Sequence, residues 1–284
     1  MTVFPDAANK MPELPEVENI GRALKKALVG KTILKTEIFT PAMRTSLTPL
    51  LDPRLAGATF LDVRRRGRYL TVELTGSRAF LIHFGMSGVA RVEPLSVPRR
   101  KHEHIFIHLD DGFVFRFECT RRFSIFELHT LPQDRPFPAL LDKLGVEPLE
   151  KEFTPAYLHK KAAKVTACVK NFLMDNAVVT GIGNIYATET LFACGIDPRR
   201  PASTLTMAEC KKTVTHSRAI LKRAIDAGGT TVSDFLNVDG SEGKFALSLQ
   251  VYGRSSQKCF KCGTTIQSVK LGGRTSAFCP KCQK

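Results

Sequence analysis

Alternating apolar and polar residues dominate the first half of the chain and predict β-strands. From about residue 31 to residue 130 apolar side chains recur at every second position, which is the period of a strand buried on one face. Residues 105–109 and 113–117 alternate in this way on both sides of an Asp-Asp-Gly turn, which predicts a hairpin with an aromatic inner face. Several short strands at such spacing are typical of a β-sandwich or a flattened barrel.

Helical periodicity precedes and follows this β region. Apolar residues at helical spacing within residues 17–28, ended by Gly30, predict an amphipathic leading helix. After a proline-rich stretch at residues 131–138 the period becomes helical again. A capping box that begins at Thr206 predicts one helix start, and a Gly-x-Gly turn predicts another near Asn184. The pattern therefore indicates an α+β protein with a β domain first and a helical domain second.

Two Cys-x-x-Cys pairs near the C-terminal end predict a metal site. Cys259 and Cys262 form one pair, Cys279 and Cys282 form the other, and 16 residues separate them. This spacing is typical of a tetrahedral zinc site in which the intervening segment returns as a hairpin. Four sulfur ligands leave no open position for a substrate, so we expect one structural Zn²⁺ per chain that supplies the folding energy of a short segment.

The charge of the chain predicts a polyanionic partner. Lys and Arg number 42 against 27 Asp and Glu, which gives a formal net charge of +15, and nucleic acid is the commonest partner of so basic a protein. Residues 250–284 carry basic side chains and no acidic one. An apolar run of about 18 residues is absent, and the first residues lack the pattern of a signal peptide, so we expect a cytoplasmic protein with no membrane partner.

A series of collinear motifs resembles one known family. The motifs are PELPEVE at residues 12–18, HFGMSG at 83–88, KHEH at 101–104, RRF at 121–123, LMDN at 173–176, GIGNIYATE at 181–189, AGGTTVSDFL at 227–236 and LQVYGR at 249–254. Together with the cysteine pairs, they make the chain similar to bacterial formamidopyrimidine-DNA glycosylase from residue 12 to residue 284.

The resemblance implies a domain organisation and an activity. It implies an N-terminal extension at residues 1–11, a catalytic β-sandwich domain at 12–138, a helix–two-turn–helix domain at 139–247 and a zinc finger at 248–284. The implied reaction is removal of oxidised purines from double-stranded DNA, followed by β,δ-elimination at the abasic site. A damaged base must be flipped out of the duplex before such chemistry. A monomer is expected for a clamp that closes on DNA.

The resemblance also assigns catalytic residues. The imino nitrogen of Pro12 would attack the sugar and form a Schiff base, because a free N-terminal amine with a pKa of about 8 is partly neutral at physiological pH. Glu13 would protonate the sugar ring oxygen and later act as a base. Arg68 stands at the family's active-site lysine, and Arg274 is the candidate for the late elimination step. Glu16 is expected to be a helix-cap or salt-bridge residue.

Further residues are assigned to DNA by the same resemblance. The space left by the flipped base would be filled by an unbranched side chain, a cation and an aromatic ring. Residues 233–245 are similar to the loop that closes over the flipped base. The void-filling residues are Met86, Arg121 and Phe123. The DNA-binding residues are His102, Arg121, Lys164, Lys170 and Asn184.

The chain departs from the family pattern at three places. PELPEVE follows ten residues and Met11, so we expect translation to start at Met11 and that methionine to be removed, because an amide nitrogen at Pro12 has no lone pair for attack. Arg68 replaces a lysine and cannot give up a proton, so we expect DNA binding to persist while lesion preference or elimination is altered. Cys119-Thr120 replaces an Asp-Pro pair, and Ser124 replaces a glycine, on the loop that carries Arg121.

Three alternative functions fit part of the sequence. A related glycosylase specific for oxidised pyrimidines shares much of the pattern, although PELPEVE and the three void-filling residues favour the purine enzyme. A non-catalytic lesion-binding protein would result if Pro12 stayed blocked. A zinc-ribbon transcription factor would explain the C-terminal cysteines and leave PELPEVE without a role.

Overall fold

A computed structural model describes residues 11–132, 137–230 and 245–284. Residues 1–10 of the predicted extension at 1–11, and residues 233–244 of the predicted closing loop at 233–245, lie outside the described residues. The chain divides into two compact units. Lys143–Ala227 and Phe245–Lys284 belong to one unit, and the described residues at 11–142 and 228–230 belong to the other.

The N-terminal unit contains two four-stranded antiparallel sheets. Within the described residues its strands are β1 (Ile33–Ile38), β2 (Phe60–Arg66), β3 (Tyr69–Leu74), β4 (Arg78–His83), β5 (Gly88–Pro94), β6 (Glu103–Leu109), β7 (Phe113–Cys119) and β8 (Ile125–Thr130). One sheet has the strand order β1-β6-β7-β5 and the other has the order β2-β3-β4-β8. Buried apolar side chains of both sheets form one core cluster, which confirms the predicted β-sandwich.

The predicted leading helix is α1 (Leu14–Leu28), and its apolar stripe belongs to the core of the sandwich. Val17, Leu24 and Leu28 are buried there, as their helical spacing requires. Gly30 lies just beyond the helix at a φ of +87°, a conformation that glycine adopts without strain. The helix therefore ends where the sequence predicts.

The predicted hairpin is formed by β6 and β7. Phe115 and Phe117 are buried in the core, as expected for its inner face. Phe113 is an exception, because it begins β7 beside the turn and is 38% exposed. The ammonium group of Lys31 lies 5.0 Å from the centre of its ring. The aromatic inner face is therefore two phenylalanines long, and not three as predicted.

The second unit contains four α-helices within the described residues. They are α2 (Pro155–Ala162), α3 (Val169–Leu173), α4 (Asn184–Cys194) and α5 (Met207–Asp226). The predicted capping box opens α5: Glu209 N donates to Thr206 Oγ1 at 3.2 Å, and Thr206 N donates to Glu209 Oε2 at 2.9 Å. Helix α4 begins at Asn184, directly after the Gly-x-Gly turn, as predicted.

A two-stranded hairpin completes this unit. Its strands are β9 (Gln267–Leu271) and β10 (Arg274–Phe278), which pair in antiparallel register. Gly272 and Gly273 form the turn at φ values of +54° and +74°, which residues other than glycine rarely adopt. The predicted α+β class is confirmed. Among the described residues, every helix is too short or too polar to cross a lipid bilayer.

Candidate functional site

Pro12 and Glu13 are buried at the N-terminal end of α1. The side chain of Glu16, in the first turn of this helix, reaches back and accepts a hydrogen bond from Glu13 N at 3.0 Å. The other carboxylate oxygen of Glu16 accepts from Thr230 N at 2.8 Å. Glu16 is thus the helix-cap residue that the sequence predicts, and it also anchors a backbone amide 214 residues away. The structure places the predicted nucleophile and the predicted acid on a fixed, buried backbone.

Arg68 lies beside this pair. It follows Gly67 in the turn between β2 and β3, and its Nη1 atom is 3.5 Å from Met11 Sδ, on the residue that precedes Pro12. Its charge also reaches His83, which ends β4 and accepts a hydrogen bond from Gly85 N at 3.2 Å. Burial lowers the pKa of His83 to about 4, and the charges of Arg68 and Arg44 contribute to the same direction. The structure therefore places Arg68 next to the residue that precedes Pro12, while its catalytic role stays a prediction.

The neutral state of His83 predicts a pH-dependent stability. An unfolded histidine has a pKa of about 6.5, so below that pH the unfolded chain binds a proton that the folded chain excludes until about pH 4. Stability is therefore lost as the pH falls through this window. Urea unfolding at pH 7 and pH 4.5 should show a smaller loss for His83→Gln than for the parent. Equal losses in the two proteins would contradict the assignment.

The three predicted void-filling residues occupy two neighbouring connections. Met86 is half-buried between β4 and β5, while Arg121 and Phe123 lie between β7 and β8. Arg121 Nη2 donates to Met86 O at 3.2 Å. The ring of Phe123 is 56% exposed. The structure therefore brings the three residues together and leaves the aromatic ring accessible.

His102 lies next to the same loop. It is half-buried ahead of β6, and its carbonyl oxygen accepts a hydrogen bond from Cys119 N at 2.9 Å. Cys119 is the residue that ends β7 and leads into the segment with Arg121. The predicted DNA-binding histidine is thus held beside the predicted void-filling loop.

In the second unit, a buried lysine joins the start of α4 to the hairpin. Lys170 is fully buried, and its ammonium group donates to Asn184 Oδ1 and to Ser276 Oγ of β10. Asn184 Nδ2 in turn donates to Thr275 O at 3.2 Å. A buried ammonium beside a helix N-terminus is a favourable surrounding for an anion such as phosphate. Sequence reasoning did not identify Ser276, which accepts a hydrogen bond from the same ammonium group as Asn184.

The two other predicted basic residues of this unit are solvent-accessible. Arg274 is exposed at the first position of β10, directly after the Gly272-Gly273 turn. Lys164 is exposed in the segment between α2 and α3. The structure therefore places Arg274 on the strand that Lys170 contacts, and places Lys164 outside that set of hydrogen bonds.

Glu189 is a buried structural residue that sequence reasoning missed. Its buried carboxylate accepts hydrogen bonds from three consecutive backbone amides, those of Gln250, Val251 and Tyr252, at 2.9, 3.0 and 2.8 Å. Burial raises the pKa of Glu189, although these amides and Arg254 lower it in part. The contact ties α4 to the segment that leads into the cysteine pairs. Its signal in the sequence is a single carboxylate within an otherwise uncharged helix.

The four predicted metal ligands converge. The Sγ atoms of Cys259, Cys262, Cys279 and Cys282 all lie within 4.8 Å of one another. A tetrahedral site with Zn–S bonds of about 2.3 Å has sulfur–sulfur edges of about 3.8 Å, so the cluster has the size that zinc requires. The side chains of Cys259 and Cys279 are buried, and the hairpin of β9 and β10 lies between the two pairs. The donors fit a closed, structural zinc ion.

Comparison with known proteins identifies the family. Three domain profiles match successive parts of the chain: the formamidopyrimidine-DNA glycosylase N-terminal domain at residues 11–126, the formamidopyrimidine-DNA glycosylase H2TH domain at residues 144–236, and the zinc finger found in FPG and IleRS at residues 256–284. The chain belongs to the formamidopyrimidine-DNA glycosylase family. Membership confirms the predicted class of enzyme, a DNA glycosylase of base excision repair with abasic-site lyase activity, and it confirms the structural zinc.

Individual relatives agree with this assignment. Formamidopyrimidine-DNA glycosylase of Escherichia coli O6:K15:H31 (strain 536 / UPEC) is 43% identical over 274 residues, which cover 96% of this chain and 100% of the relative. The Lactococcus lactis FPG, in a mutant form bound to Fapy-dG-containing DNA, superposes with a TM-score of 0.89 at 34% identity, covering 96% of this chain and all of that one. The wild-type L. lactis enzyme bound to DNA that contains an oxidised pyrimidine superposes with a TM-score of 0.87 at 35% identity, covering 96% of this chain and 100% of that one.

Proposed function

We propose that this glycosylase removes oxidised purines from duplex DNA and then cleaves the abasic strand through a Schiff base at Pro12. The observation that carries the proposal is the buried Pro12-Glu13 pair, whose backbone Glu16 fixes at the N-terminal end of α1. It places one nitrogen and one carboxyl group on adjacent residues, and the reaction needs both at a single sugar, the nitrogen at C1′ and the carboxyl at the ring oxygen. The L. lactis relative has been crystallised with Fapy-dG DNA and with abasic-site DNA, which supports both parts of the reaction.

The chemistry begins at the sugar of the flipped nucleotide. The lone pair of a free Pro12 nitrogen attacks C1′, the bond from C1′ to the damaged base breaks, and the base leaves with the proton that the Pro12 nitrogen gives up. Glu13 donates a proton to the ring oxygen, the ring opens, and the nitrogen and C1′ form a cationic iminium. Because the iminium accepts electrons, a proton leaves C2′ and the 3′-phosphate is expelled. A second elimination expels the 5′-phosphate, and water releases Pro12.

Other residues hold the DNA in this scheme. Lys170 and Asn184 bind one phosphate at the start of α4, and Arg274 binds the backbone from the tip of the hairpin and assists the second elimination. Lys164 and His102 supply further backbone contacts. The net charge of +15 supports a polyanionic ligand. We also propose that the enzyme acts as a cytoplasmic monomer on double-stranded DNA.

Met86, Arg121 and Phe123 fill the space that the flipped base leaves. The exposed ring of Phe123 and the contact from Arg121 to the Met86 carbonyl support this role, because a wedge must be accessible and a cation must be held near the unpaired base. An oxidised pyrimidine is the second candidate substrate, since the L. lactis relative was also crystallised with DNA that contains one.

A panel of damaged duplexes tests the substrate. With a chain that begins at Pro12, we expect excision of 8-oxoguanine and formamidopyrimidine to exceed excision of an oxidised thymine by about tenfold or more, a range that pocket contacts commonly provide. Strand cleavage followed on denaturing gels gives the rates, and an undamaged duplex and Glu13→Gln serve as controls. Faster excision of the pyrimidine would make the second candidate the function. Tight binding without cleavage of any duplex would make the protein a lesion binder.

A further inference from the structure

Two sheet-to-sheet connections lie side by side in the sandwich. Residues 84–87 lead from β4 of one sheet to β5 of the other, and residues 120–124 lead back from β7 to β8. The strand register pairs Gly88 with Cys119 at one end and His83 with Ile125 at the other, which aligns the two connections. A Cβ atom on Gly85 would lie 2.9 Å from the Phe123 carbonyl carbon, so the two backbones are in direct contact. The two connections therefore pack backbone against backbone.

A buried polar chain links the same two connections. Ser124 and Cys119 are fully buried. Ser124 Oγ lies 2.6 Å from Phe84 O and 3.0 Å from Cys119 Sγ. Cys119 Sγ lies 3.7 Å from Ser87 Oγ, and Ser87 Oγ accepts a hydrogen bond from Arg121 N at 3.2 Å. This series of hydrogen bonds therefore starts at the backbone of Arg121 and ends at the carbonyl of Phe84, two residues before Met86.

One arrangement of hydrogens satisfies every member of this chain. A hydroxyl or thiol has a single hydrogen, and the carbonyl of Phe84 is the strongest acceptor available to Ser124. If Ser124 donates there, the thiol of Cys119 donates to Ser124 Oγ and Ser87 donates to the sulfur. Each group then donates once and accepts once, and buried polar groups that are fully satisfied in this way hold a structure in one conformation.

We infer that Ser124 and Cys119 are positioning residues that set how strongly the enzyme distinguishes the base opposite the lesion. They contact no DNA in this proposal, which rests on the proposed void-filling role of Met86 and Arg121. The hydroxyl of Ser124 and the thiol of Cys119 join the connection of Met86 to that of Arg121. Without them the hydrogen bonds from Arg121 to Met86 O and to Ser87 Oγ are left without the buried support of Ser124 and Cys119, and the guanidinium that faces the unpaired base is held in one orientation less firmly.

The test measures discrimination in binding, which does not depend on catalysis. Duplexes that carry a stable abasic-site analogue opposite each of the four bases give four dissociation constants, and the ratio of the weakest to the tightest is the discrimination. We expect Ser124→Ala and Cys119→Ala each to lower this ratio by about threefold or more, as the loss of one buried hydrogen bond would. The double variant should lower it no further than either single variant, because both break the same chain.

Ser217→Ala is the matched control. Ser217 is equally buried and donates one hydrogen bond, to Thr213 O at 2.7 Å, within α5. It should lower the melting temperature and leave the ratio unchanged. A parent protein that does not distinguish the four bases, unchanged ratios in Ser124→Ala and Cys119→Ala, or additive effects in the double variant would overturn the inference. Failure of the proposed function is recognised separately, as an absence of base excision by protein that begins at Pro12.

Discussion

Borohydride is expected to cross-link abasic-site DNA to protein that begins at Pro12 and to leave protein that begins at Met1 uncoupled. In the longer chain the Pro12 nitrogen is part of a peptide bond, so it has no lone pair for attack on C1′. In the shorter chain it is a secondary amine whose addition product is a cationic iminium that borohydride reduces to a stable bond. Denaturing gel electrophoresis of labelled DNA shows the adduct, and mass spectrometry of the native protein shows which chain the cell makes.

Two controls make this comparison specific. Both proteins should bind the abasic duplex, which fluorescence anisotropy checks, so that lack of an adduct is a failure of chemistry. Glu13→Gln on the shorter chain should retain binding and react more slowly, because the proposed proton donor is absent. Adduct formation at the same rate by the longer chain would eliminate Pro12 as the nucleophile.

Loss of the zinc site is expected to abolish tight DNA binding. The two cysteine pairs hold the hairpin, and β10 carries Arg274 and supplies Ser276 and Thr275 to the cluster of Lys170 and Asn184. Cys279→Ser, at a fully buried ligand, should therefore release the hairpin and weaken binding by about a hundredfold, the effect of losing two charge-assisted contacts. Anisotropy titrations and measurement of zinc content test this.

Cys168→Ser is the matched control for this substitution. Cys168 caps α3 and lies outside the cluster of four sulfurs, so serine at this position should preserve both the zinc content and the DNA affinity. A Cys279→Ser protein that lacks zinc and still binds DNA as tightly as the parent would show that the hairpin is dispensable.

Local chemistry explains which parts of the fold were predictable. The capping box at Thr206, the glycine after α1 and the spacing of the cysteines each depend on residues close together in sequence, and the structure confirms all three. Phe113 was misjudged because alternation does not reveal where a strand begins. Phe113 is the first residue of β7 and follows a turn, so its ring is not covered on both sides and stays partly exposed.

Long-range contacts explain what the sequence did not reveal. Glu189 accepts hydrogen bonds from backbone amides more than 60 residues away, and Lys170 donates to Ser276, which lies 106 residues away. Neither pairing therefore has a local signal in the sequence. From the sequence, Ser124 and Cys119 could be recognised only as substitutions in the family pattern on the loop that carries Arg121. The structure shows that their side chains are hydrogen-bonded to each other. The domain boundaries after residues 138 and 247, the start at Met11 and the roles of individual DNA-binding residues stay predictions.

The residues assigned to the vacated base position lie on connections between sheets, and they contribute little to the ladders that hold the sandwich together. Met86, Arg121 and Phe123 all have this location. In the proposed function these residues set the preference for a damaged base or its partner, so substitutions there are expected to change selectivity without breaking a strand ladder. Because these positions lie outside the strand ladders, the two connections are a suitable place to engineer a glycosylase with altered selectivity.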